Sequence, residues 1–326
     1  MDVLYLTEAE VERLLTMEMA LEALEAAFRA AAAGKAANHP RRRLRSAEGA
    51  LLLYMAALDE SSGYFGLKIY TAGPTGVRFL VLLYDNRTGE LVALLEADFL
   101  GRVRTGAASG LATKHLARPD AARVGILGTG HQAPTQLQAI AQVRRLASVR
   151  AYSPTPERRR AFADRMSREL DLAVEAVDSA EAAVRDADIV VAITSAREPV
   201  LQGAWLAPGA HVNAAGANFA RKRELDDAVI ARAGRIVVDS REQAKLEAGD
   251  LIAPFQSHPE RWQDVRELSQ LVSGDVPGRT SEEEITLFKS LGVALEDVAT
   301  AARVVERARR KGVGRTNTMW ASGLVP

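Results

Sequence analysis

Apolar residues recur every three or four positions near the start of the chain, which is the spacing of one helix face. The segment Thr7–Glu10 has the Thr-x-x-Glu form of a capping box, so we predict a helix start there. A second helix is predicted over Glu18–Ala33, with Gly34 as its C-terminal cap. The basic run His39–Arg45 interrupts this spacing, and we expect it to lead into strands.

Four strands are predicted between residues 50 and 97, because short apolar stretches follow one another there with no helical segment between them. Asp85–Gly89 predicts a hairpin turn before the last of these strands. The predicted strands are Ala50–Ala56, Tyr64–Thr71, Arg78–Tyr84 and Leu91–Ala97. The first hundred residues should therefore form an antiparallel sheet capped by helices.

Strands and helices alternate in the second part of the chain, after a predicted helix over residues 98–117. Strands are predicted around Val124–Leu127 and at Val149–Tyr152, Leu172–Glu175, Ile189–Ile193, His211–Ala215 and Ile236–Asp239. Helices are predicted at Pro156–Leu170, from Asp178, at Lys222–Ala233 and, after the sheet, at Ala294–Lys311. This alternation predicts an α/β fold with a doubly wound parallel sheet of the Rossmann type.

A glycine-rich turn follows the first strand of that sheet. Gly128-Thr129-Gly130, with Ala133 three residues later, has the G-x-G-x-x-G/A form of a dinucleotide-binding turn. Gly128 permits a tight turn, Gly130 lets the backbone approach a pyrophosphate, and Ala133 lets the helix lie close to the strand. The start of that helix offers N–H groups to the phosphates. We predict a dinucleotide site rather than a purely structural turn.

The end of the second strand of the sheet predicts which dinucleotide binds. NAD sites usually place an acidic residue there for the ribose 2′-hydroxyl. This chain has Ser153 and Thr155 instead, followed by Arg158. Hydroxyl groups and a guanidinium suit a 2′-phosphate, so we predict a preference for NADP(H), with NAD(H) possible. The alternative is that Arg158–Arg160 only cover a helix surface.

Composition excludes several classes of function. The chain has 326 residues and a formal net charge of zero, so nothing in its charge predicts binding to nucleic acid or to a membrane. It has no cysteine, which excludes disulfides and thiolate sites, and its five histidines are scattered, so we expect no metal site. The sequence shows neither a leader peptide nor an apolar run of membrane-spanning length, and we expect a cytoplasmic protein.

Two cations fall where the pattern predicts burial. Arg104 shares one helix face with Ala107, Ala108 and Leu111, and a guanidinium there needs an anionic partner. That partner could be a nearby carboxylate of the protein or the carboxylate of a substrate, which a guanidinium can bind through two hydrogen bonds. Lys68 lies within a predicted strand, where it could be a solvated edge lysine or could orient or protonate a substrate.

Together, the motifs resemble those of the ornithine cyclodeaminase/mu-crystallin family, which includes alanine dehydrogenases and imine reductases. The resemblance covers nearly the whole chain and is carried by Pro40–Arg43, Gly66–Lys68, Arg104–Ser109, Gly128–Ala133, Asn213–Asn218, Glu247–Asp250 and Thr286–Gly292. It implies a homodimer with an α+β substrate-binding and dimerisation domain, formed by residues 1–118 with 294–326, and a Rossmann domain formed by residues 119–293.

The resemblance also implies a small amino-acid or imino-acid substrate held by two arginines and a lysine. These roles fall on Lys68, on Arg104 and on Arg42 or its neighbour Arg43, although the sequence alone does not fix which of Arg41, Arg42 and Arg43 points inward. The residues expected to line the cofactor are Thr105, Gly128, Thr129, Gly130, His131, Gln132, Ser153, Thr155, Arg158, Thr194, Ser195, Ser290 and Gly292.

Two departures from the family pattern bear on the reaction. Cyclodeaminases of the family carry an acid about thirteen residues before the lysine, where this chain has Met55, and a second acid where it has Asn218. Cyclisation of ornithine needs a base, and neither residue is basic. We expect both residues to contact the substrate and predict an NADPH-dependent reductase of cyclic imino acids. The alternatives are alanine dehydrogenase or another reductive aminase of keto acids, ornithine cyclodeaminase, and a small-ligand binding protein like mu-crystallin.

Overall fold

The computed structural model describes residues 2–319 and divides the chain into two compact units. The described parts of residues 1–104 and 293–326 form the first unit, and residues 105–292 form the second. The first boundary therefore lies inside the helix that begins at Asp98 rather than at residue 118.

The strands are β1 (Asp2–Leu6), β2 (Ala36–Arg45), β3 (Leu51–Asp59), β4 (Tyr64–Gly73), β5 (Gly76–Asp85), β6 (Leu91–Glu96), β7 (Arg123–Leu127), β8 (Ser148–Tyr152), β9 (Val174–Ala176), β10 (Ile189–Ala192), β11 (His211–Ala214), β12 (Ala233–Val238), β13 (Arg266–Glu267), β14 (Ile285–Lys289) and β15 (Arg315–Thr318). The α-helices are α1 (Glu8–Leu14), α2 (Met17–Ala32), α3 (Asp98–Leu116), α4 (Ala133–Val143), α5 (Pro156–Leu170), α6 (Ala180–Val184), α7 (Asp227–Arg232), α8 (Arg241–Glu247), α9 (Gly249–Phe255), α10 (Leu268–Ser273) and α11 (Ala294–Lys311).

The first unit is built on a seven-stranded sheet in the order β15-β1-β6-β5-β4-β3-β2. Neighbouring strands are antiparallel except β1 and β6. Every second residue of β3 is buried, from Leu53 through Met55 and Ala57 to Asp59, because α11 contacts β3 and β4 and removes these positions from water. Helix α11 also contacts α2.

The four predicted strands of this sheet are confirmed as β3 to β6, and the capping box at Thr7 is confirmed at the start of α1. The basic run His39–Arg45 leads into these strands as expected, but it is itself part of strand β2, which pairs with β3 and was not predicted. A β-bulge between His39 and Arg42 interrupts that pairing. Strands β1 and β15 were not predicted.

The second unit is a Rossmann-type fold, with a fully parallel eight-stranded sheet in the order β13-β12-β14-β11-β10-β7-β8-β9. The direction of winding reverses between β7 and β10, and in such sheets ligands bind beyond the carboxyl ends of the strands at this point. Among the described helices, none is long and apolar enough to cross a membrane.

Three predictions for the second unit need correction. Strand β14 was missed, although it lies inside the sheet between β12 and β11. The helix predicted from Lys222 begins only at Asp227, because the Asp226 side chain caps it by accepting from the Val229 N–H. The helix predicted from Asp178 is α6, and it begins at Ala180 because the Ser179 side chain occupies the cap position.

Candidate active site

The turn after β7 has the geometry that a pyrophosphate requires. Gly128 has a φ of +101°, and a Cβ there would lie 2.3 Å from the Ile193 carbonyl oxygen, so no other residue fits without displacing the backbone. A Cβ on Gly130 would meet nothing within 4 Å, so the backbone borders open space there. Helix α4 begins at Ala133, with Gln132 in the cap position. These residues fit a dinucleotide phosphate at a helix N-terminus.

The tip of β8 is tied to this turn by a hydrogen bond between the Thr129 and Ser153 hydroxyl groups, 2.7 Å apart. The arginine run behind it divides into two roles. Arg159 is buried, donates to the Ser153 carbonyl at 3.1 Å and lies over the Tyr152 ring. Arg158, by contrast, is exposed. The alternative that this run only covers a helix surface therefore does not hold for Arg159. The role of Arg158 in binding a 2′-phosphate stays a prediction.

The other predicted cofactor residues of the second unit lie mainly at the ends of strands. Thr194 follows β10, and its methyl carbon would lie 3.1 Å from a Cβ on Gly128. Ser290 and Gly292 follow β14 in a loop held by Asp239, whose carboxylate accepts from the Gly292 N–H at 2.7 Å. The remaining residues divide between exposed (His131, Thr155 and Ser195) and buried (Thr105) positions.

The first unit contains a buried cluster of three cations and two acids, which we call the cationic cluster because its cations outnumber its acids: Lys68, Arg104, Arg41, Glu296 and Asp297. The Lys68 ammonium lies 2.6 Å from Asp297 Oδ1. The Arg104 guanidinium donates from Nε to the same oxygen at 3.0 Å and from Nη1 to Glu296 Oε2 at 2.7 Å. Both carboxylates are fully buried, so these ion pairs are formed away from water.

The cluster shifts the titration of its cations in opposite directions. Burial and the nearby Arg104 charge lower the pKa of Lys68 to about 8, although Asp297 raises it. Burial also acts against the charge of Arg104, but Asp297 and Glu296 outweigh that effect and raise the pKa of Arg104. Lys68 can therefore exchange a proton near neutral pH, while Arg104 stays a fixed cation.

The expectation for Arg42 requires correction. Arg42 is exposed, whereas Arg41 is buried and its Nη2 lies 3.8 Å from the Met55 sulfur. The bulge between His39 and Arg42 causes this, because an extra residue in a strand changes which side chains face the interior. Arg43 is half-buried. Arg41 is therefore the member of the arginine run that belongs with Lys68 and Arg104.

Met55 lies directly across from Lys68 in the pairing of β3 with β4 and is buried. An acid at this position would contact the cluster, and its absence leaves a thioether beside Arg41. Asn218 follows β11 in the second unit and is half-buried. The structure thus gathers Arg41, Met55, Lys68 and Arg104 in one unit.

The sequence reasoning missed Glu296 and Asp297, although a signal was present. Both acids lie in the first turn of α11 between the buried residues Leu295 and Val298. Asp297 also falls on the apolar face, because Ala301 follows it after one helical turn and is buried. An acid on the apolar face of a helix indicates a buried cationic partner. Of the two partners considered for Arg104, the structure shows carboxylates of the protein, those of Glu296 and Asp297.

Comparison with known proteins adds to this geometry. The model of the ornithine cyclodeaminase/mu-crystallin family matches residues 1–312. The chain is 39% identical over 270 residues to a Δ1-pyrroline-2-carboxylate reductase of Bacillus cereus, covering 80% of this chain and 83% of that protein.

Two solved structures are similar over nearly the whole chain. The Δ1-pyrroline-2-carboxylate reductase of Thermococcus litoralis, in complex with NADH and L-proline, has a TM-score of 0.91 and 37% identity, covering 96% of this chain and 99% of its own. An archaeal alanine dehydrogenase dimer with bound NAD has a TM-score of 0.92 and 35% identity, covering 98% of this chain and 100% of its own.

Proposed function

Because this chain belongs to the ornithine cyclodeaminase/mu-crystallin family, we propose that it reduces the C=N bond of small cyclic imino acids. It is an NAD(P)H-dependent oxidoreductase of the imine-reducing type. Suitable substrates are Δ1-pyrroline-2-carboxylate and Δ1-piperideine-2-carboxylate, which carry a carboxylate beside the imine carbon. The observation that carries the proposal is the cationic cluster, in which two guanidinium groups and a titrating ammonium group are buried, with Met55 rather than an acid beside Arg41 and across from Lys68.

In the proposed mechanism, the arginines bind the substrate carboxylate. Arg104 donates hydrogen bonds from Nε to Asp297 and from Nη1 to Glu296, so its Nη2 group is the one that we assign to the substrate. Arg41 supplies the second guanidinium. Two fixed cations at one end of a small molecule orient its imine, and orientation of this kind can lower a barrier by several kcal/mol.

Lys68 is the proposed proton donor. A pKa of about 8 keeps it largely protonated at neutral pH and still able to release the proton as the imine nitrogen becomes an amine. A reduced nicotinamide, when bound, would supply the hydride to the imine carbon. Asp297, 2.6 Å from the Lys68 ammonium, holds the proton donor in place.

We further propose assembly as a homodimer, as in the similar archaeal alanine dehydrogenase dimer.

We also propose a preference for NADPH. The absence of an acid at the tip of β8 and the exposed Arg158 support the preference, although the similar structures named above contain NADH or NAD. Arg158→Ala should weaken NADPH binding and leave NADH binding unchanged. Arg160→Ala, which removes another exposed arginine of α5, is the matched control. Equal affinity of the unchanged protein for the two dinucleotides would remove this part of the proposal.

The second candidate function is that of an alanine dehydrogenase or reductive aminase, which the similarity to the archaeal enzyme favours. An ornithine cyclodeaminase fits less well, because Met55 and Asn218 provide no base. A small-ligand binding protein like mu-crystallin would need none of the proton transfer that Lys68 can perform.

One assay distinguishes these candidates. Oxidation of NADPH and NADH is followed at 340 nm with each cyclic imino acid, with pyruvate plus ammonia or methylamine, and without substrate. Turnover of a cyclic imino acid that is lost in Lys68→Met supports the proposal. Faster turnover of pyruvate with ammonia would favour alanine dehydrogenase, and proline formed from ornithine with catalytic NAD would favour cyclodeamination. Dinucleotide binding without any turnover would favour a binding protein.

A further inference from the structure

Glu224 is a fully buried carboxylate that none of the proposed chemistry uses. Its Oε1 accepts from the Thr194 N–H at 2.6 Å and from the Thr194 hydroxyl at 2.8 Å. Its Oε2 accepts from the N–H groups of Gly216 at 2.7 Å and Ala217 at 2.8 Å. One side chain thus holds the segment after β10 to the segment after β11, at the carboxyl ends of both strands.

The two segments are packed so closely that Glu224 requires a glycine beside it. A Cβ on Gly216 would lie 2.4 Å from Glu224 Oε1 and 2.5 Å from the Thr194 backbone nitrogen. The first of these segments also borders the phosphate turn, because a Cβ on Gly128 would lie 2.3 Å from the Ile193 carbonyl oxygen. A direct chain of contacts therefore joins Glu224 to the glycine turn.

Glu224 is itself held in place by a second buried acid. Asp250 Oδ1 accepts from the backbone N–H of Glu224 at 2.7 Å and of Leu225 at 3.0 Å. Asp250 Oδ2 lies 3.0 Å from the Lys289 ammonium at the end of β14, and that ammonium also donates to the Ala214 carbonyl. Burial raises the pKa of Glu224, while the Lys289 charge and the Thr194 N–H oppose the rise. The backbone N–H groups that donate to its oxygens favour the ionised form.

We infer that Glu224 is a positioning residue for the dinucleotide: it fixes the segment containing Thr194 against the Gly128 turn. Ligands of parallel sheets bind at this edge, beside the point where the winding reverses between β7 and β10. A merely structural carboxylate would stabilise the unit without changing dinucleotide affinity. The inference rests on dinucleotide binding by the second unit and not on the identity of the imine.

The chain offers a matched control at the other end of the same strand. Asp188 is also a buried acid, and it accepts from the backbone N–H groups of Ala122 at 3.1 Å and Arg123 at 2.9 Å. It precedes β10, whereas Thr194 follows it. Asp188→Asn and Glu224→Gln therefore both change a buried carboxylate to an amide, at opposite ends of β10, and Asp188 additionally pairs with Arg118 at 2.7 Å and Arg123 at 3.0 Å.

The test measures the dissociation constants of NADH and NADPH by fluorescence titration and the melting temperature without ligand. Glu224→Gln keeps the size but puts an NH₂ group against N–H donors, so we expect affinity to fall about tenfold or more. Asp188→Asn should lower the melting temperature at least as much and leave affinity unchanged. Gly216→Ala, which disturbs the same contact from the other segment, should lower affinity as Glu224→Gln does.

Normal affinity in both Glu224→Gln and Gly216→Ala would overturn the inference. The inference would also be overturned if Glu224→Gln and Asp188→Asn each lost affinity in proportion to the fall in its melting temperature. Glu224 would then have a merely structural role. If Glu224→Gln fails to fold, the affinity of Gly216→Ala alone decides. Since no imine is present, failure of the proposed reduction would not alter any of these results.

Discussion

Replacement of Asp297 by Asn should move the pH dependence of imine reduction. Asn keeps an oxygen that can accept from the Lys68 ammonium but removes the negative charge 2.6 Å from it. The other groups that face Lys68 are Arg104 from α3, Arg41 from β2 and the Phe79 ring from β5, so the charged neighbours that then act most on its pKa are both cations. The ammonium should therefore lose its proton at a lower pH.

The size of this effect follows from the geometry. An opposite charge within about 4–6 Å shifts a pKa by about 1–3 units. Each unit corresponds to about 1.4 kcal/mol of interaction with the charged form. In the unchanged protein the pKa of Lys68 is about 8, so reduction should decline as the pH rises through about 8. In Asp297→Asn the decline should begin about 1–3 pH units lower, because only protonated Lys68 can donate.

The assay is kcat/KM for the imino acid as a function of pH, which reports the pKa values of the free enzyme. Glu296→Gln is the control, because Glu296 pairs with Arg104 Nη1 through the same helix turn. It should weaken substrate binding without moving the alkaline decline. Breaking a buried pair costs about 3–5 kcal/mol, so thermal melts must first show that both variants are folded. An unmoved decline in Asp297→Asn, or equal shifts in both variants, would refute the role of Lys68 as proton donor.

Two further predictions concern binding. Arg41→Met should raise KM for the imino acid about 10- to 150-fold, because a charged hydrogen bond is lost. Arg42→Met should keep a KM near that of the unchanged protein, because Arg42 is exposed. Steady-state kinetics in which the two variants exchanged these behaviours would contradict the bulge-based assignment. Gly130→Ala should fold normally but lose dinucleotide affinity, because its Cβ enters open space in the phosphate cradle. Gly128→Ala should also lower the melting temperature, because its Cβ meets the Ile193 carbonyl; equal melting temperatures for the two variants would contradict this difference.

Elements that are determined by their own local sequence were predicted correctly. The glycine turn at Gly128 and the helix at Pro156–Leu170 depend on short-range signals, and the structure contains both as expected. Strand β14, which was missed, ends in Lys289, and a charge at that place argues against an interior strand. That lysine is tolerated only because Asp250, far away in the sequence, pairs with it.

The candidate site was predictable in composition but not in register. Lys68 and Arg104 were found because burial of a cation is visible in the spacing of apolar residues. The choice of Arg41 over Arg42 depends on a bulge, whose position reflects the pairing of β2 with β3 and not the sequence of β2 alone. Asp297 was within reach of the sequence, since it is an acid on the apolar face of α11.

The most direct test of imino-acid reduction is to follow the hydride itself. The protein is incubated with Δ1-pyrroline-2-carboxylate and NADPH that carries deuterium at the transferable C4 position, and the product is analysed by mass spectrometry and NMR. We predict proline with one deuterium at C2 and loss of this product in Lys68→Met. The account would be contradicted if this imine gave no deuterated proline with either dinucleotide and deuterium appeared instead in alanine formed from pyruvate and ammonia.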